Sequence, residues 1–235
     1  MGKRAELSIV LPTYNEKDNL QAIVKEILNE FKNNSINGEI IIVDDNSPDG
    51  TGKIADRICR KNSKVRVIHR IGRKGLSSAA MEGFELSNAK FVGLMDSDRS
   101  HPTGKIGEMF RLVKSDKAEL VIGSRYVRGG KIELGWYRNI LSYIATSLAR
   151  PLTNIKDPLT GFFIMKRSLL YKKKLYFKGF RTLLEILMVV RPEKVVEVPI
   201  TFISRKKGKS KAGINEIFQY LSNLIRYYWR RLNDN

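Results

Sequence analysis

The chain has 235 residues, of which 42% are hydrophobic and 29% are charged, a balance typical of a globular protein with one large α/β domain. The formal net charge of +19 predicts an anionic partner: a nucleic acid, an acidic membrane surface or a phosphorylated substrate. The single cysteine, Cys59, excludes an internal disulfide framework and a cysteine-ligated metal cluster.

Strand and helix patterns alternate along the first half of the chain. Apolar runs predict strands at residues 7–11, 39–43, 65–68, 91–95 and 120–123. Helices are predicted between them: one capped by Asn15, one from about Thr51, and two at residues 75–86 and 106–113. Repeated β-α units of this length predict an α/β fold with a mostly parallel, doubly wound sheet in one domain.

The pattern is looser after Tyr126. Apolar spacing predicts a helix at 136–152, a last strand at 195–203 and a long helix at 214–232. The long helix has a predicted apolar stripe made of Ile214, Ile217, Phe218, Leu221, Leu224, Ile225, Tyr228 and Leu232. Aromatic and cationic residues at its end are typical of an amphipathic helix that lies in a membrane interface. The alternative is that the apolar stripe packs on the protein's own core.

The fourth predicted strand ends in two carboxylates, Asp96 and Asp98, one residue apart. Alternate residues of a strand point to the same face, so we expect these side chains to converge. Two hard oxygen ligands suit Mg²⁺ or Mn²⁺ that carries a substrate diphosphate. The carboxyl end of a strand is also where open α/β sheets bind ligands.

Two further strand ends carry polar residues. The first predicted strand is followed by PTYNE at 12–16, and the second by DDNSPDGT at 44–51. In a parallel sheet these ends and the one at 96–98 share an edge, so they can build one pocket. Acidic residues there can hold a nucleoside through its ribose hydroxyls or its base edge. The alternative is that Asp44 and Asp49 only cap a helix and close a turn.

An ordered set of motifs resembles the successive signatures of glycosyltransferase family 2. Its members are PTYNE at 12–16, DDNSPDGT at 44–51, GLSSA at 75–79, DSD at 96–98, GSRY at 123–126, DPLTGFF at 157–163, LEIL at 184–187 and Arg205 with GKSK at 208–211. Within that family the chain is most similar to the polyprenol (dolichol) phosphate mannosyltransferases. The resemblance extends from about residue 7 to residue 211.

The resemblance implies a Rossmann-like nucleotide-sugar fold of the type called GT-A. It implies nucleotide-binding roles for Pro12, Tyr14, Glu16, Asp44, Asp45 and Lys74. Asp96 and Asp98 would bind Mg²⁺ or Mn²⁺ and take part in catalysis. The family usually continues as Asp-x-Asp-Leu-Gln-His-Pro, where the Gln is a further metal ligand. Here Arg99 replaces the Leu and Ser100 replaces the Gln, which makes Ser100 a shorter candidate ligand.

The resemblance also implies a reaction. Mannose would move from GDP-mannose to a polyprenyl (dolichyl) phosphate, whose ionised oxygen attacks the anomeric carbon directly and with inversion. Such an acceptor needs positioning rather than a strong general base. The positions that match the acceptor-phosphate residues of the group are Arg125, Arg138, Ser142 and Arg205, and Arg125 is also expected to be catalytic. Arginine suits this role because its planar fork matches phosphate oxygens.

A lipid acceptor requires contact with a membrane surface. No stretch reaches the roughly 18 to 20 apolar residues that span a bilayer, so the sequence predicts a cytoplasmic protein that is peripheral on the membrane. We expect a catalytic domain at 1–211 and a C-terminal amphipathic interface helix at 212–235. Related enzymes often carry transmembrane helices beyond this point or borrow a membrane-spanning partner subunit, so such a partner belongs to the prediction.

Two alternatives stay open. The first is a UDP-sugar-dependent transferase that makes polyprenyl phosphate glucose or extends a polysaccharide, although the form of the second loop favours GDP-mannose. The second is a basic nucleic-acid-binding protein, which the net charge and Tyr227, Tyr228 and Trp229 would support. No RNA-binding signature or helix-turn-helix accompanies them, and the carboxylate loops would have no purpose. We therefore expect no nucleic-acid partner.

Overall fold

A computed structural model describes residues 4–72, 75–171, 181–205 and 214–233. The strands are β1 (Leu7–Thr13), β2 (Gly38–Asp44), β3 (Val65–His69), β4 (Phe91–Leu94), β5 (Leu120–Ser124), β6 (Lys131–Glu133), β7 (Phe163–Lys166), β8 (Val195–Pro199) and β9 (Thr201–Ile203). The α-helices are α1 (Leu20–Asn33), α2 (Thr51–Lys61), α3 (Leu76–Leu86), α4 (Ile106–Lys114), α5 (Trp136–Ala149), α6 (Thr182–Val189) and α7 (Ile214–Asn233).

Seven strands form the main sheet, in the order β3-β2-β1-β4-β7-β5-β8. All neighbours pair in parallel except β7, which is antiparallel to both β4 and β5. This architecture confirms the predicted mostly parallel α/β sheet. The short strands β6 and β9 pair in parallel as a separate ribbon.

The sheet lies between two layers of helices, because alternate residues of its buried strands point to opposite faces. Ile9 and the other strand residues on its face of the sheet pack with α1 and α4. Val10 and the strand residues on the opposite face pack with α3 and α6. Both faces of the central strands are therefore covered, which is why these strands are apolar throughout rather than alternating.

Several predicted boundaries were wrong. Asn15 does not cap the first helix: α1 begins at Leu20 after Asn19, and Asn15 has a left-handed backbone with φ of 54°. The single strand predicted at 195–203 is two strands, β8 and β9, which belong to different sheets. Strands β6 and β7 were not predicted, because runs of three and four residues give too little periodicity to recognise.

The last helix, α7, packs against α5. The hydroxyl of Tyr220 donates to the carbonyl of Ala145 at 2.6 Å, and the hydroxyl of Tyr228 donates to that of Leu148 at 2.8 Å. The predicted single stripe of α7 was wrong, because its members face two ways: Leu224 is 4% exposed and Ile225 is 70% exposed. The side chains of Ile214, Ile217 and Leu232 lie outside the described part.

A broad apolar surface on α5 and α7 faces outward. Trp136 at the start of α5 is 76% exposed, and Trp229 near the end of α7 is 67% exposed. Their exposed large apolar neighbours are Tyr137, Ile140, Leu141, Tyr143, Ile144, Leu148, Phe218, Leu221 and Ile225. Within the four described ranges, no helix has the length and apolar character needed to cross a bilayer.

Candidate active site

The first two loops at the carboxyl edge of the sheet are joined by hydrogen bonds. The backbone N–H of Asn15 donates to Oγ of Ser47 at 3.0 Å, and that of Glu16 donates to Oγ1 of Thr51 at 2.9 Å. Strands β1 and β2 are adjacent and parallel, so their loops emerge side by side. The predicted meeting of these two strand ends is therefore confirmed.

Asp49 has the structural role that the turn interpretation gives it. Its Oδ1 accepts hydrogen bonds from the backbone and the hydroxyl of Thr51, at 3.0 and 2.6 Å. Its Oδ2 accepts from the backbone N–H of Lys17 at 3.3 Å. Burial raises the pKa of Asp49, but these hydrogen bonds outweigh burial and hold this pKa below its usual value.

Asp44 and Asp45 are both buried at the end of β2, but their partners differ. Asp44 accepts a hydrogen bond from Oγ of Ser47 at 2.5 Å. Asp45 accepts one from Nη1 of Arg70 at 2.7 Å and one from the backbone N–H of Gly75 at 2.9 Å. Arg70, which no sequence motif indicated, is a buried cation that ties Asp45 to the start of α3.

The remaining predicted nucleotide residues lie close by. The carbonyl of Pro12 accepts a hydrogen bond from Oγ of Ser97 at 3.1 Å, which links the β1 loop to the β4 loop. Glu16 is buried and accepts from Nδ2 of Asn19 at 2.7 Å, while Tyr14 is half-buried. Lys74 lies outside the described residues.

Asp96 and Asp98 lie in the loop that follows β4, which ends at Leu94. Oδ1 of Asp98 accepts the backbone N–H of Ser100 at 3.0 Å, and its Oδ2 lies 3.2 Å from Nη2 of Arg205. Oδ2 of Asp96 lies 3.2 Å from Nε2 of His101, a residue that the sequence analysis did not select. Because an ionised carboxylate only accepts hydrogen bonds, Nε2 of His101 carries the proton.

The surroundings of Asp96 favour its ionised form. Burial raises the pKa of Asp96, but the hydrogen bond from His101 and the charges of Arg205 and Arg181 outweigh burial, so this pKa lies below its usual value. Gly161 lies against the same carboxylate, and a Cβ at Gly161 would lie 2.7 Å from both carboxylate oxygens. Any larger residue there would displace Asp96.

The donor set of this loop fits a hard divalent ion. The loop offers two carboxylates as ligands. In the described part of the chain, no group of three or more His, Cys, Asp or Glu side chains could hold a metal, so the protein would provide only part of the coordination shell. Mg²⁺ and Mn²⁺ suit such an open set, because phosphate and water oxygens can complete their coordination. Ser100 is buried beside Asp98, and Arg99 turns away to pair with Glu26 on α1.

The predicted acceptor residues are brought together in part. Arg125, just after β5, forms two parallel hydrogen bonds with Asp157, from Nε and Nη2, each at 2.7 Å. Its Nη1 reaches Oγ of Ser142 on α5 at 3.3 Å. Burial lowers the pKa of Arg125, but the Asp157 carboxylate more than compensates and raises this pKa.

The other two predicted acceptor residues approach from different elements. Arg138 is exposed on α5, one turn before Ser142 and so on the same side of the helix. Arg205 follows β9 and contacts Asp98 instead of Ser142. Arg181, which the sequence analysis missed, donates from Nη1 to the carbonyl of Leu159 at 3.3 Å and lies over the ring of Tyr220.

Comparison with known proteins decides the family. The profile described as Glycosyl transferase family 2 matches residues 8–174. The chain belongs to glycosyltransferase family 2. This family 2 glycosyltransferase is 39% identical over 227 residues to the protein named Dolichol-phosphate mannosyltransferase of Pyrococcus furiosus, and the match covers 94% of the chain and 63% of that relative. The chain thus spans less than two thirds of the Pyrococcus protein.

The chain is also similar to a second curated protein and to a solved structure. The Dolichol-phosphate mannosyltransferase of Saccharomyces cerevisiae is 34% identical over 234 residues, with 95% of this chain and 87% of the yeast protein covered. A mannosyltransferase from Pyrobaculum calidifontis in complex with GDP-Man and Mn²⁺ superimposes with a TM-score of 0.65 at 16% identity, covering 95% of this chain and 65% of that one. The superposition confirms the predicted GT-A-type α/β fold.

Proposed function

We propose that this family 2 glycosyltransferase moves mannose from GDP-mannose to a polyprenyl (dolichyl) phosphate, with inversion at the anomeric carbon. The observation that carries the proposal is the pair of Asp98 and Arg205, 3.2 Å apart. It joins a predicted metal ligand to a predicted acceptor-phosphate residue in one site. The names of the Pyrococcus and yeast relatives, and the GDP-Man and Mn²⁺ in the Pyrobaculum structure, support the same substrates.

On the donor side, Asp96 and Asp98 would hold Mg²⁺ or Mn²⁺ with the diphosphate of the nucleotide sugar. The bound ion would supply positive charge that stabilises the diphosphate as it leaves. The nucleoside would lie along the loops that carry Pro12, Tyr14, Glu16, Asp44 and Asp45, with Lys74 as a further contact. Asp45 acts there by positioning, because both of its carboxylate oxygens accept hydrogen bonds from Arg70 and Gly75.

On the acceptor side, the arginines would orient the lipid phosphate. One of its oxygens forms the new bond to the anomeric carbon, the bond from that carbon to the diphosphate oxygen breaks, and the electron pair leaves with GDP. The phosphate is already ionised near neutral pH, so the residues supply position and charge rather than a base. Arg125, Ser142, Arg138 and Arg205 would contribute these contacts, and Asp157 holds the Arg125 fork in a fixed plane.

The exposed apolar surface of α5 and α7 would bring this site to the lipid. Exposed Trp, Tyr and Ile side chains beside basic residues favour the interface of a membrane with anionic headgroups. We propose that residues 1–211 are the catalytic part and 212–235 an interface helix that packs on it. The cytoplasmic, peripheral location and a membrane-spanning partner subunit remain predictions.

Calorimetry of nucleotide binding tests the donor assignment. GDP and UDP are titrated into the full chain with and without Mn²⁺. The proposal predicts that GDP binds more tightly than UDP and that Mn²⁺ strengthens the binding of GDP. Tighter binding of UDP would favour a UDP-sugar donor instead.

A further inference from the structure

The backbone before Arg205 is held on two sides. The backbone N–H of Ile203 donates to the carbonyl of Ser100 at 3.1 Å, and that of Ser204 donates to the carbonyl of Glu133 at 3.1 Å. Oγ of Ser204 also donates to the Glu133 carbonyl, at 3.2 Å. Because the chain is fixed between the Asp96–Asp98 loop and β6, the Arg205 side chain can change its partner while its backbone stays in place.

Both carboxylate oxygens of Asp98 already have a partner within the protein. Oδ1 accepts the backbone N–H of Ser100, and Oδ2 lies 3.2 Å from Nη2 of Arg205, whose side chain is 24% exposed. A divalent ion that approached Oδ2 would stand beside the guanidinium, and like charges at such a distance repel strongly in a partly buried site. Ion and guanidinium are therefore competitors for the same carboxylate oxygen.

We propose that Arg205 occupies the cation position at Asp98 in the metal-free enzyme and is released toward the acceptor phosphate when the metal binds. The inference rests on the proposed function. It goes further in assigning Arg205 a second partner that couples the two sites: Arg205 becomes available to the acceptor phosphate when the metal holds Asp98.

The exchange makes the two sites thermodynamically coupled. Without an acceptor, release of Arg205 from Asp98 is a cost that weakens metal binding. An acceptor phosphate that binds the released guanidinium removes part of this cost, so metal and acceptor should each tighten the binding of the other by the same factor. Arg205 is a predicted acceptor residue that directly contacts a predicted metal ligand, Asp98.

The test measures Mn²⁺ affinity of the full chain by the electron paramagnetic resonance signal of the free aqueous ion, without nucleotide. Asp98→Asn first establishes the site: loss of Mn²⁺ binding places the ion at Asp98, whereas unchanged binding would contradict the proposed donor site itself. Arg205→Gln then tests the exchange, and we expect Mn²⁺ to bind on the order of tenfold more tightly in it. If Asp98→Asn loses Mn²⁺ binding but Arg205→Gln binds Mn²⁺ no more tightly than the unaltered chain, the exchange is overturned and the proposed donor site is not.

Two control variants separate a contact from a general field. Arg205→Lys keeps the charge at the same position and should retain an affinity near that of the unaltered chain. Arg181→Gln removes another cation whose charge reaches Asp96, and it should change Mn²⁺ affinity much less than Arg205→Gln. An equal gain in Arg181→Gln would show that only net charge matters and would overturn the proposal.

Farnesyl phosphate provides the second readout. In the unaltered chain it should tighten Mn²⁺ binding several-fold, because it stabilises Arg205 away from Asp98. In Arg205→Gln this coupling should disappear. Equal coupling in both proteins would contradict the exchange, because the acceptor would then act on the metal through another residue.

Discussion

Asp157 accepts three hydrogen bonds from Arg125, one from its backbone N–H at 2.9 Å and two from its guanidinium at 2.7 Å each. The Asp157 side chain is 0% exposed and the pair joins residues that are 32 positions apart. The carboxylate thus compensates a buried charge and also fixes the plane in which Arg125 can meet a phosphate.

We expect Asp157→Asn to be strongly destabilising, since it leaves the buried guanidinium without a counter-charge. Removal of one partner of a buried ion pair costs about 3–5 kcal/mol of unfolding free energy, which urea denaturation would measure. The control is Asp116→Asn, which removes an exposed partner of Lys166 and should leave the urea midpoint unchanged. Equal midpoints for Asp157→Asn and the unaltered chain would show that the pair does not stabilise the fold.

His69 should make stability depend on pH. Its Nε2 lies 2.7 Å from Oδ1 of Asp56, and this hydrogen bond, together with the charges of Asp56 and Asp44, raises the pKa of His69 above 6.5 in spite of partial burial. A raised folded pKa gives a stabilisation that is fully present below the unfolded pKa and is lost as pH rises through the folded one.

The substitution His69→Asn tests this pH dependence. The unfolding free energy of the variant is compared with that of the unaltered chain at about pH 6 and pH 8.5. The difference in unfolding free energy should be larger at the lower pH, and it should stay below about 1 kcal/mol because the pair is half exposed. A difference that grows with pH would contradict the sign of the shift.

Ser100→Gln restores the longer side chain that the family pattern has at this position. If Ser100 belongs to the coordination shell, the amide oxygen of Gln should reach the ion and tighten Mn²⁺ binding in the same resonance titration. Ser100 is buried against Asp98 and Ile203, so a thermal melt must accompany the titration. An unchanged Mn²⁺ affinity in a folded variant would place residue 100 outside the coordination shell.

Ile225→Glu should reduce binding to anionic vesicles, because it puts a charge in the middle of the exposed apolar face of α7. The matched control is Leu86→Glu, which adds the same charge at another exposed apolar residue, on α3. Sedimentation at low salt would measure the difference, and binding of the unaltered chain should weaken with added salt. Equal pelleting of both variants would show that α7 is not an anchor.

Shortening the chain at Ala212 is a coarser form of the same experiment. The helix α7 covers Ala149, Leu152 and Leu184 with Tyr220, Leu224 and Tyr227, so its removal would also expose core residues. The point substitution leaves that packing intact, because Ile225 faces outward.

Local patterns sufficed to predict the central strands and the shared edge of the site, because continuous apolar runs and strand-end carboxylates are signals within a few residues. The pairing of Arg125 with Asp157 and of Asp45 with Arg70 could not be read in that way, since each depends on two segments meeting in space. His101, in contrast, lies only five residues after Asp96, so its position in the sequence could have indicated that it contacts this carboxylate.

The beginning of α1 was misplaced for a related reason. Asn15 has the side chain of a helix cap, but its backbone is bound to Ser47 in the neighbouring loop, and the helix begins only after Asn19. Tertiary hydrogen bonds thus overrode the local capping preference.

We expect the Asp96–Asp98 loop to support mannose transfer to a polyprenyl phosphate. The rate of labelled mannose transfer from GDP-mannose to farnesyl phosphate with Mn²⁺ tests this role in the unaltered chain, Asp98→Ala and the control Asp116→Ala. We predict that Asp98→Ala lowers turnover by about a thousandfold or more while its melting temperature and the Asp116→Ala rate stay near those of the unaltered chain. Normal turnover in Asp98→Ala, or transfer by the unaltered chain from UDP-glucose but not from GDP-mannose, would contradict it.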